Sequence, residues 1–264
     1  MPQLKLIDLS PCTVGADPEL FLQDANDVYI SSIGKFGGSK VAPRPLGTTK
    51  GMAVQEDNVA VEFNIPPHRT RVGFISSIQE ALKLIEEEAK VLNLKLAIVP
   101  SAEFNKEQLA SPAARNFGCH PDFNVWSMQE NPRPHTKNKS LRSAGGHVHI
   151  AHTKDKIGLG RACDLFLGCP SIAFDPDQQR RLLYGKAGAI RQKEYGVEYR
   201  TLSNFWIKST ELMAMIFSQV VQAIEFVEKG TTIPKEDAIK IIKCINTSDR
   251  KLLGELTEKY ALMY

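Results

Sequence analysis

Apolar and polar positions alternate with period two in four separate stretches of this chain. In residues 145–150, GGHVHI, Val148 and Ile150 alternate with His147 and His149 behind a glycine pair. Successive side chains of a strand point to opposite faces, so a strand here buries the two aliphatic residues and turns both histidines to one polar face. Residues 12–22 behave alike: Gly15, Asp17, Glu19 and Phe21 share one face, and Ala16, Pro18, Leu20 and Leu22 the other. Pro18 predicts an edge strand or a bulge. Residues 52–64 read as one strand region, ended by Pro66-Pro67. Residues 197–203 read as the last strong strand, with Glu198 and Arg200 on one face.

Period 3.6 marks the helices. Ile75, Ile78, Leu82, Ile85, Ala89 and Leu92 predict a helix over 71–92, with Glu86-Glu87-Glu88 on its solvated face. Further helices are expected over 154–167, over 175–184 with Asp175 as cap before Pro176, and over 209–228, ending near Gly230. Two shorter ones follow, the first opened by Pro234. Residues 23–51 read as loop with a short strand near 28–30, residues 94–99 as a short strand, and residues 185–196 as a basic, glycine-rich segment. Residues 111–144 show little periodicity and read as an irregular insert. Strands separated by helices and long loops, without regular βαβ spacing, favour an α+β fold: a mainly antiparallel sheet with helices on one face. The expected organisation is a single domain over 1–264, with the insert at about 111–144 and a helical part at about 207–264.

Composition adds bounds. With 264 residues, 42% hydrophobic and 24% charged, the chain can bury a substantial core. A net charge of +3 gives no reason to expect nucleic-acid binding. No apolar run is expected to reach a membrane span, and residues 1–10 lack the pattern of a signal peptide. Five cysteines, Cys12, Cys119, Cys163, Cys169 and Cys244, with no CxxC, fit a reduced, cytoplasmic setting. Cys119 beside His120 is a weak candidate nucleophile.

The polar faces carry the candidate chemistry: Asp17 with Glu19, Glu56 with Glu62, Glu198 with Arg200, and His147 with His149. Each set alone also fits a solvated strand face or a surface ion pair; their joint occurrence shifts the balance. Two carboxylates ~5 Å apart repel by roughly 3 kcal/mol at an effective dielectric of ~20, so several on one face call for protons or divalent cations. Oxygen-rich sets suit Mg²⁺ or Mn²⁺, and Mg²⁺ usually works beside phosphates. Arg180, Arg181, Lys186, Arg191 and Arg200 are candidate phosphate partners. No Walker-type phosphate loop is present, and residues 34–40 lack its spacing.

The runs Val14 to Leu22, Gln55 to Asn64, Gly145 to His149, Arg181 to Arg191 and Glu198 to Thr201 together resemble the type 2 carboxylate–amine ligases (amidoligases) of phages and bacteria, a family similar to glutamine synthetase and glutamate–cysteine ligase. The resemblance runs from about residue 12 to about 206, and the insert and C-terminal helices carry none of it. It implies a curved, glutamine-synthetase-like sheet, ATP and Mg²⁺ (or Mn²⁺) as cofactors, and metal ligation by Asp17, Glu19, Glu56, Glu62, His147 and Glu198. It implies that His149, Lys186, Arg181, Arg191 and Arg200 contact the nucleotide, with Arg200 facing the transferred phosphoryl group. Catalytic roles fall to Arg200, Arg191 and Glu62.

The implied reaction activates a substrate carboxylate as an acyl phosphate, and an amine then displaces phosphate to form an amide. Expected partners are ATP and a small-molecule or peptide carboxylate and amine. No membrane is expected, nor nucleic acid unless a modified base is the substrate. The expected location is the cytoplasm of a bacterium or a phage-infected host. Residues 36–50 or 111–144 are the candidates for a lid that keeps water from the acyl phosphate. Two other readings remain open. A cupin-like enzyme would use His147 and His149 for Fe or Zn and leave Asp17 and Glu19 idle. A non-enzymatic binding protein on a degenerate ligase fold would need a broken acidic set.

Overall fold

Strand β1 (Val14–Gln23) runs through the middle of the sheet, and its alternation sorts the rest of the fold. The computed structural model describes residues 12–115, 122–132, 134, 136–152 and 154–264. Residues 1–10, read for a leader, and the Cys119-His120 pair lie outside the described residues. Val14, Ala16, Leu20 and Leu22 of β1 enter the main apolar core, whereas Asp17 and Glu19 occupy the alternate positions.

β1 pairs antiparallel with β5 (Ala60–His68) on one side and β11 (Gly146–Ile150) on the other. Beyond β5 come β4 (Ala53–Asp57) and β3 (Arg44–Pro45). Beyond β11 come β13 (Gly196–Tyr199), β12 (Ala189–Lys193), β8 (Phe123–Asn124) and β9 (Gln129–Glu130). The short strands β2 (Tyr29–Ile30) and β6 (Lys95–Ala97) also pair with β1, and β7 (Ser101–Glu103) pairs with β10 (Leu141–Ser143). Every one of these pairings is antiparallel.

The helices lie against the apolar side. Helix α1 (Arg71–Val91) starts at Thr70, whose hydroxyl accepts from the Gly73 N–H, and buries Phe74, Ile78, Ala81, Ile85 and Ala89. The short α2 (Pro112–Arg115) belongs to the insert. Helix α3 (Lys156–Cys163) runs on through a π-helical turn (Asp164–Gly168) into α4 (Cys169–Ser171). Then come α5 (Gln178–Leu183), α6 (Thr210–Glu228), α7 (Lys235–Thr247) and α8 (Arg250–Tyr260). The architecture is the expected α+β one: a large antiparallel sheet with helices.

Several expectations need correction. β1 is an interior strand, not an edge, and Pro18 sits within it opposite Gly146. β5 continues through Pro66 and Pro67 to His68. The register shifts between Ala16↔Ile65 and Val14↔His68, so the two prolines occupy a bulge. Asp175 does not cap the helix after it; Asp177 accepts from the Arg180 N–H, and Asp175 pairs with Arg181 and Ser203 instead. The insert is not wholly irregular, since it supplies β8, β9 and β10. By length and apolar composition α6 could cross a membrane, contrary to expectation; its buried residues, among them Ile216, Phe217, Val220 and Ala223, form part of the apolar core.

Residues 52–64 form a hairpin rather than one strand, and this has a consequence for the site. Asn58 takes a left-handed conformation (φ 56°) at the turn, and Asp57 pairs with Ala60. Directly opposed residues of an antiparallel pair share a face. Glu62 lies opposite Gln55, and Glu56 lies opposite the core residue Val61. Glu56 is thereby removed from the acidic face. Its carboxylate accepts the backbone N–H groups of Gly34, Lys35, Phe36 and Gly37 at 2.7–2.9 Å. The following loop rests on the helix side: Phe36 and Leu46 enter the core, and Arg44 pairs with Glu88 of α1. Residues 36–50 are therefore anchored away from the acidic face and do not form a lid over it.

Glu56→Ala is expected to lower stability by about 2 kcal/mol, because four N–H donors lose a charged acceptor. The stabilisation gained from added Mg²⁺ is expected to stay at the wild-type value. Thermal melts with and without Mg²⁺ check both, and a lost Mg²⁺ response would return Glu56 to the cation site.

Candidate active site

The polar face of the sheet gathers side chains from six strands. β1 supplies Asp17 and Glu19, β11 supplies His147 and His149, β13 supplies Glu198, with Arg200 just past its end, and β12 supplies Arg191 and Lys193. The β4–β5 hairpin supplies Asp57 and Glu62. Register brings them together: Asp17 opposes His147, His149 opposes Glu198, Arg191 opposes Glu198, and Glu19 opposes Glu62. The glycine pair before the histidines is a packing requirement. A Cβ on Gly145 would lie 2.3 Å from His147 Nε2, and one on Gly146 would lie 2.3 Å from the Ser203 carbonyl oxygen.

Two acidic clusters result. In the first, Asp17, His149 and Glu198 each offer a ligand atom, all within 4.8 Å of one another. Asp17 Oδ1 lies 3.0 Å from His149 Nε2 and 3.3 Å from His147 Nδ1. The 3.0 Å contact is off hydrogen-bond alignment, so both of its atoms are buried without a hydrogen bond. Tyr195 stacks on His149, with its hydroxyl 2.8 Å from Nδ1, which leaves Nε2 directed at the carboxylates. Basic residues surround Glu198: Lys193 at 2.9 Å, Arg191 at 3.1 Å, and Arg200 in direct contact. Arg200 is held from its other side by Asp122, 2.6 Å from Nε.

Charge follows from these neighbours. Burial alone would raise the Glu198 carboxyl, but Arg200, His147 and Arg191 hold it down at about 2. Burial likewise opposes ionisation of Asp17, and the nearby His149 and His147 hold it well below the usual carboxylate range. Burial lowers His149, while Asp17 and Glu198 raise it further, to a net increase. The first cluster is thus ionised and balanced by basic groups.

The second cluster is not balanced. Ligand atoms of Glu19, Asp57 and Glu62 also lie within 4.8 Å of one another. Glu19 Oε2 accepts the Gly145 N–H at 2.7 Å, but among the described residues no lysine or arginine pairs with any of the three. Burial, then the charges of Asp17, Glu19 and Asp57, push Glu62 well above the ordinary range. Glu19 is raised too, chiefly by burial and by Asp57. At such separations two like charges cost about 3 kcal/mol, which a proton or a cation must offset. The orphaned Asp17 Oδ1 and His149 Nε2, and this uncompensated trio, both fit an oxygen-rich divalent-cation site.

Of the residues expected from sequence, Asp17, Glu19, Glu62, His147, His149, Arg191, Glu198 and Arg200 come together. Glu56 does not, for the reason of hairpin parity. Arg181 is buried against Asp175, donating to its carbonyl at 2.9 Å and lying 3.5 Å from its carboxylate, so it is a structural ion pair and not a phosphate contact. Lys186 contributes its carbonyl to Thr201, and among the described residues no hydrogen bond or ion pair ties its ammonium to either cluster. Asp57, Lys193 and Tyr195 went unread. Recognising a turn at Asn58 would have found Asp57, and the period-two rule applied to Arg191 would have found Lys193. Asp122 carries no comparable signal. A cleft of about 60 Å³ opens beside the clusters, lined among others by Glu19, Asp57, Arg142, Arg180, Tyr184 and Arg200. The cupin-like reading leaves Asp17, Arg191 and Arg200 idle, whereas here all three engage the histidine–glutamate cluster.

Comparison with known proteins bears out the family resemblance. Residues 139–257 match the phage phiEco32-like COOH.NH2 ligase-type 2 family, a stretch that holds His147, His149, Arg191, Glu198 and Arg200. The match extends into the C-terminal helices, where the sequence motifs had given no sign of it. A solved structure described as a novel glutamine synthase homolog is similar at 12% identity and a TM-score of 0.42; the alignment covers 96% of this chain and 65% of that one. No curated protein matches.

Glu62→Gln is expected to stabilise the metal-free protein at neutral pH. The unfolded carboxyl ionises near 4.5 while the folded one holds its proton to higher pH, so the wild type loses stability as pH rises through that interval. The variant's melting temperature is expected to fall less between pH 5 and pH 8, and to rise less on adding Mg²⁺. Melts across that range check the sign, and a variant less stable than wild type at pH 8 without Mg²⁺ would contradict it.

Proposed function

We propose that this protein is an ATP-dependent carboxylate–amine ligase that forms an amide through an acyl phosphate. The observation that carries this reading is the pair of adjacent acidic clusters on one sheet face, one of them edged by Arg191, Lys193 and Arg200 and the other without a counter-charge.

In this reading Asp17, His149 and Glu198 are the donor set for one Mg²⁺ or Mn²⁺, and Glu62 and Glu19, with Asp57 beside them, are the donor set for a second. By distance His149 is the better placed histidine ligand, and His147 sits between Asp17 and Arg200 as an orienting group. Bound divalent cations would neutralise triphosphate charge where the substrate carboxylate must approach it. Arg191 and Lys193 stand at the more open edge of the first cluster, with side chains 25% and 33% exposed. Arg191 also keeps one guanidinium nitrogen without a protein hydrogen bond. Both can turn a donor to phosphate oxygens while remaining close to Glu198. Arg200 is buried and fixed by Glu198 and Asp122, so its charge is in place before reaction. The match of residues 139–257 to the ligase family model supports ligase chemistry, and the cluster geometry supports ATP and the metal roles. A cytoplasmic location, in a bacterium or phage-infected host, is part of the same proposal.

The direct test is ADP release from Mg·ATP against a panel of carboxylates and amines, read by mass spectrometry for a product that has lost one water. Failure to bind Mg·ATP would favour the non-enzymatic reading. Glu198→Gln is expected to reduce turnover by ~10² or more with the fold retained, and Arg200→Ala to reduce the rate of ADP formation similarly. Full turnover in Glu198→Gln would remove its metal role.

A further inference from the structure

The two histidines of β11 are held in place by different means. His147 is 5% exposed and wedged by its own strand, since a Cβ on Gly145 would lie 2.3 Å from its Nε2. His149 is more open, with its side chain 24% exposed, so packing constrains its ring less. Asp17 does not fix that ring either, because Nε2 and Asp17 Oδ1 lie 3.0 Å apart without hydrogen-bond alignment. The hydrogen bond that does hold it joins Nδ1 to the Tyr195 hydroxyl at 2.8 Å. The two rings also stack, with centroids 6.0 Å apart and planes 15° from parallel.

Tyr195 reaches this position because of where β12 turns into β13. Lys193 pairs with Gly196, so Glu194 and Tyr195 make the turn between them. Gly196 has φ 154°, and a Cβ there would lie 2.1 Å from the Ile150 carbonyl oxygen. The turn is therefore pressed against the end of β11, and the side chain just before the glycine lies over His149. Tyr195 is 41% exposed and lies outside both apolar cores, so the imidazole, not the core, is what its ring packs on.

An imidazole offers a cation only a nitrogen. Turning the His149 ring over would put carbon atoms where Nδ1 and Nε2 now lie, and the bond to Tyr195 would be lost. The hydroxyl thus selects the orientation in which Nε2 faces Asp17. We propose that Tyr195 is a positioning residue for the first cation: its hydroxyl and ring hold the His149 imidazole so that Nε2 completes the donor set with Asp17 and Glu198. This rests on the cation reading above. Tyr195 itself ligates nothing and acts only through His149.

The test is Mn²⁺ binding to the full chain by calorimetry, without nucleotide. The binding event that Asp17→Asn removes reports the first cluster. Tyr195→Phe keeps the stacked ring and loses the hydroxyl. It is expected to weaken that event about 10-fold, with the melting temperature of the metal-free protein at the wild-type value. Tyr195→Ala, which also removes the ring, is expected to weaken it further. Nitrogen NMR of the histidine rings in the metal-free protein gives a readout that ring packing alone would not move. Tyr195→Phe is expected to shift the Nδ1 signal of His149 and leave the His147 signals in place. Equal Mn²⁺ affinity in wild type and Tyr195→Phe, or an unmoved His149 signal, overturns the proposal and leaves the cation reading standing. Weaker binding accompanied by a lower metal-free melting temperature gives Tyr195 a structural role and overturns it too. A wild-type protein with no Mn²⁺ event sensitive to Asp17 overturns the cation reading, and the proposal falls with it.

Discussion

The crowding of carboxylates on one sheet face persists because the other face is locked into the core. In β1, Val14, Leu20 and Leu22 are fully buried, and each aliphatic side chain of this kind contributes about 1.5–3 kcal/mol on burial. A one-residue slip of β1 would relieve Asp17 and Glu19 but would turn that apolar set out to solvent. The gain from separating one like-charged pair is about 3 kcal/mol, less than the three side chains together. The strand register therefore holds, and the electrostatic cost remains at the site, where ligands and protons must meet it.

How that cost is met differs between the clusters, and the difference comes from strand order. The first cluster lies toward β13 and β12, whose polar positions carry Arg191, Lys193 and Arg200. Basic side chains reach Glu198 from three directions, and Asp17 and Glu198 stay ionised. The second lies toward the β4–β5 hairpin, whose polar face carries Gln55, Asp57 and Glu62 and no base. There the balance falls the other way: burial and the charges of Asp17, Glu19 and Asp57 push the Glu62 carboxyl well above its ordinary range. Two groups of three on one sheet face thus differ in charge: one is edged by basic side chains, and the other has none among the described residues.

Period-two reasoning located this face because Asp17, Glu19, His147, His149 and Glu198 lie on single uninterrupted strands, where parity alone decides direction. It misplaced Glu56 because a two-residue turn at Asn58 reverses the chain, and parity counted through a turn has no meaning. Arg181 and Lys186 failed for another reason. Consecutive helical positions point about 100° apart, so in α5 Arg180 faces the cleft and Arg181 faces Asp175, a distinction that a cluster of basic letters does not contain. Asp122 lies in a stretch with no periodicity, and its partnership with Arg200 exists only through tertiary packing. The α+β class and the placement of α1 and α6 were legible because long apolar stripes at helical spacing leave few alternatives.

Arg200 joins the two halves of the site. It touches Glu198 in the first cluster, lies 3.3 Å from His147, is braced by Asp122 of the insert, and lines the cleft that Arg180 and Asp57 share. Its backbone carbonyl is also one of the two acceptors that position Arg180. Charge arriving at either cluster is therefore felt through one buried side chain at the other. Asp122 and Glu198 hold its guanidinium from opposite sides. Its positive charge is thus fixed in place by the sheet on one side and by the insert on the other.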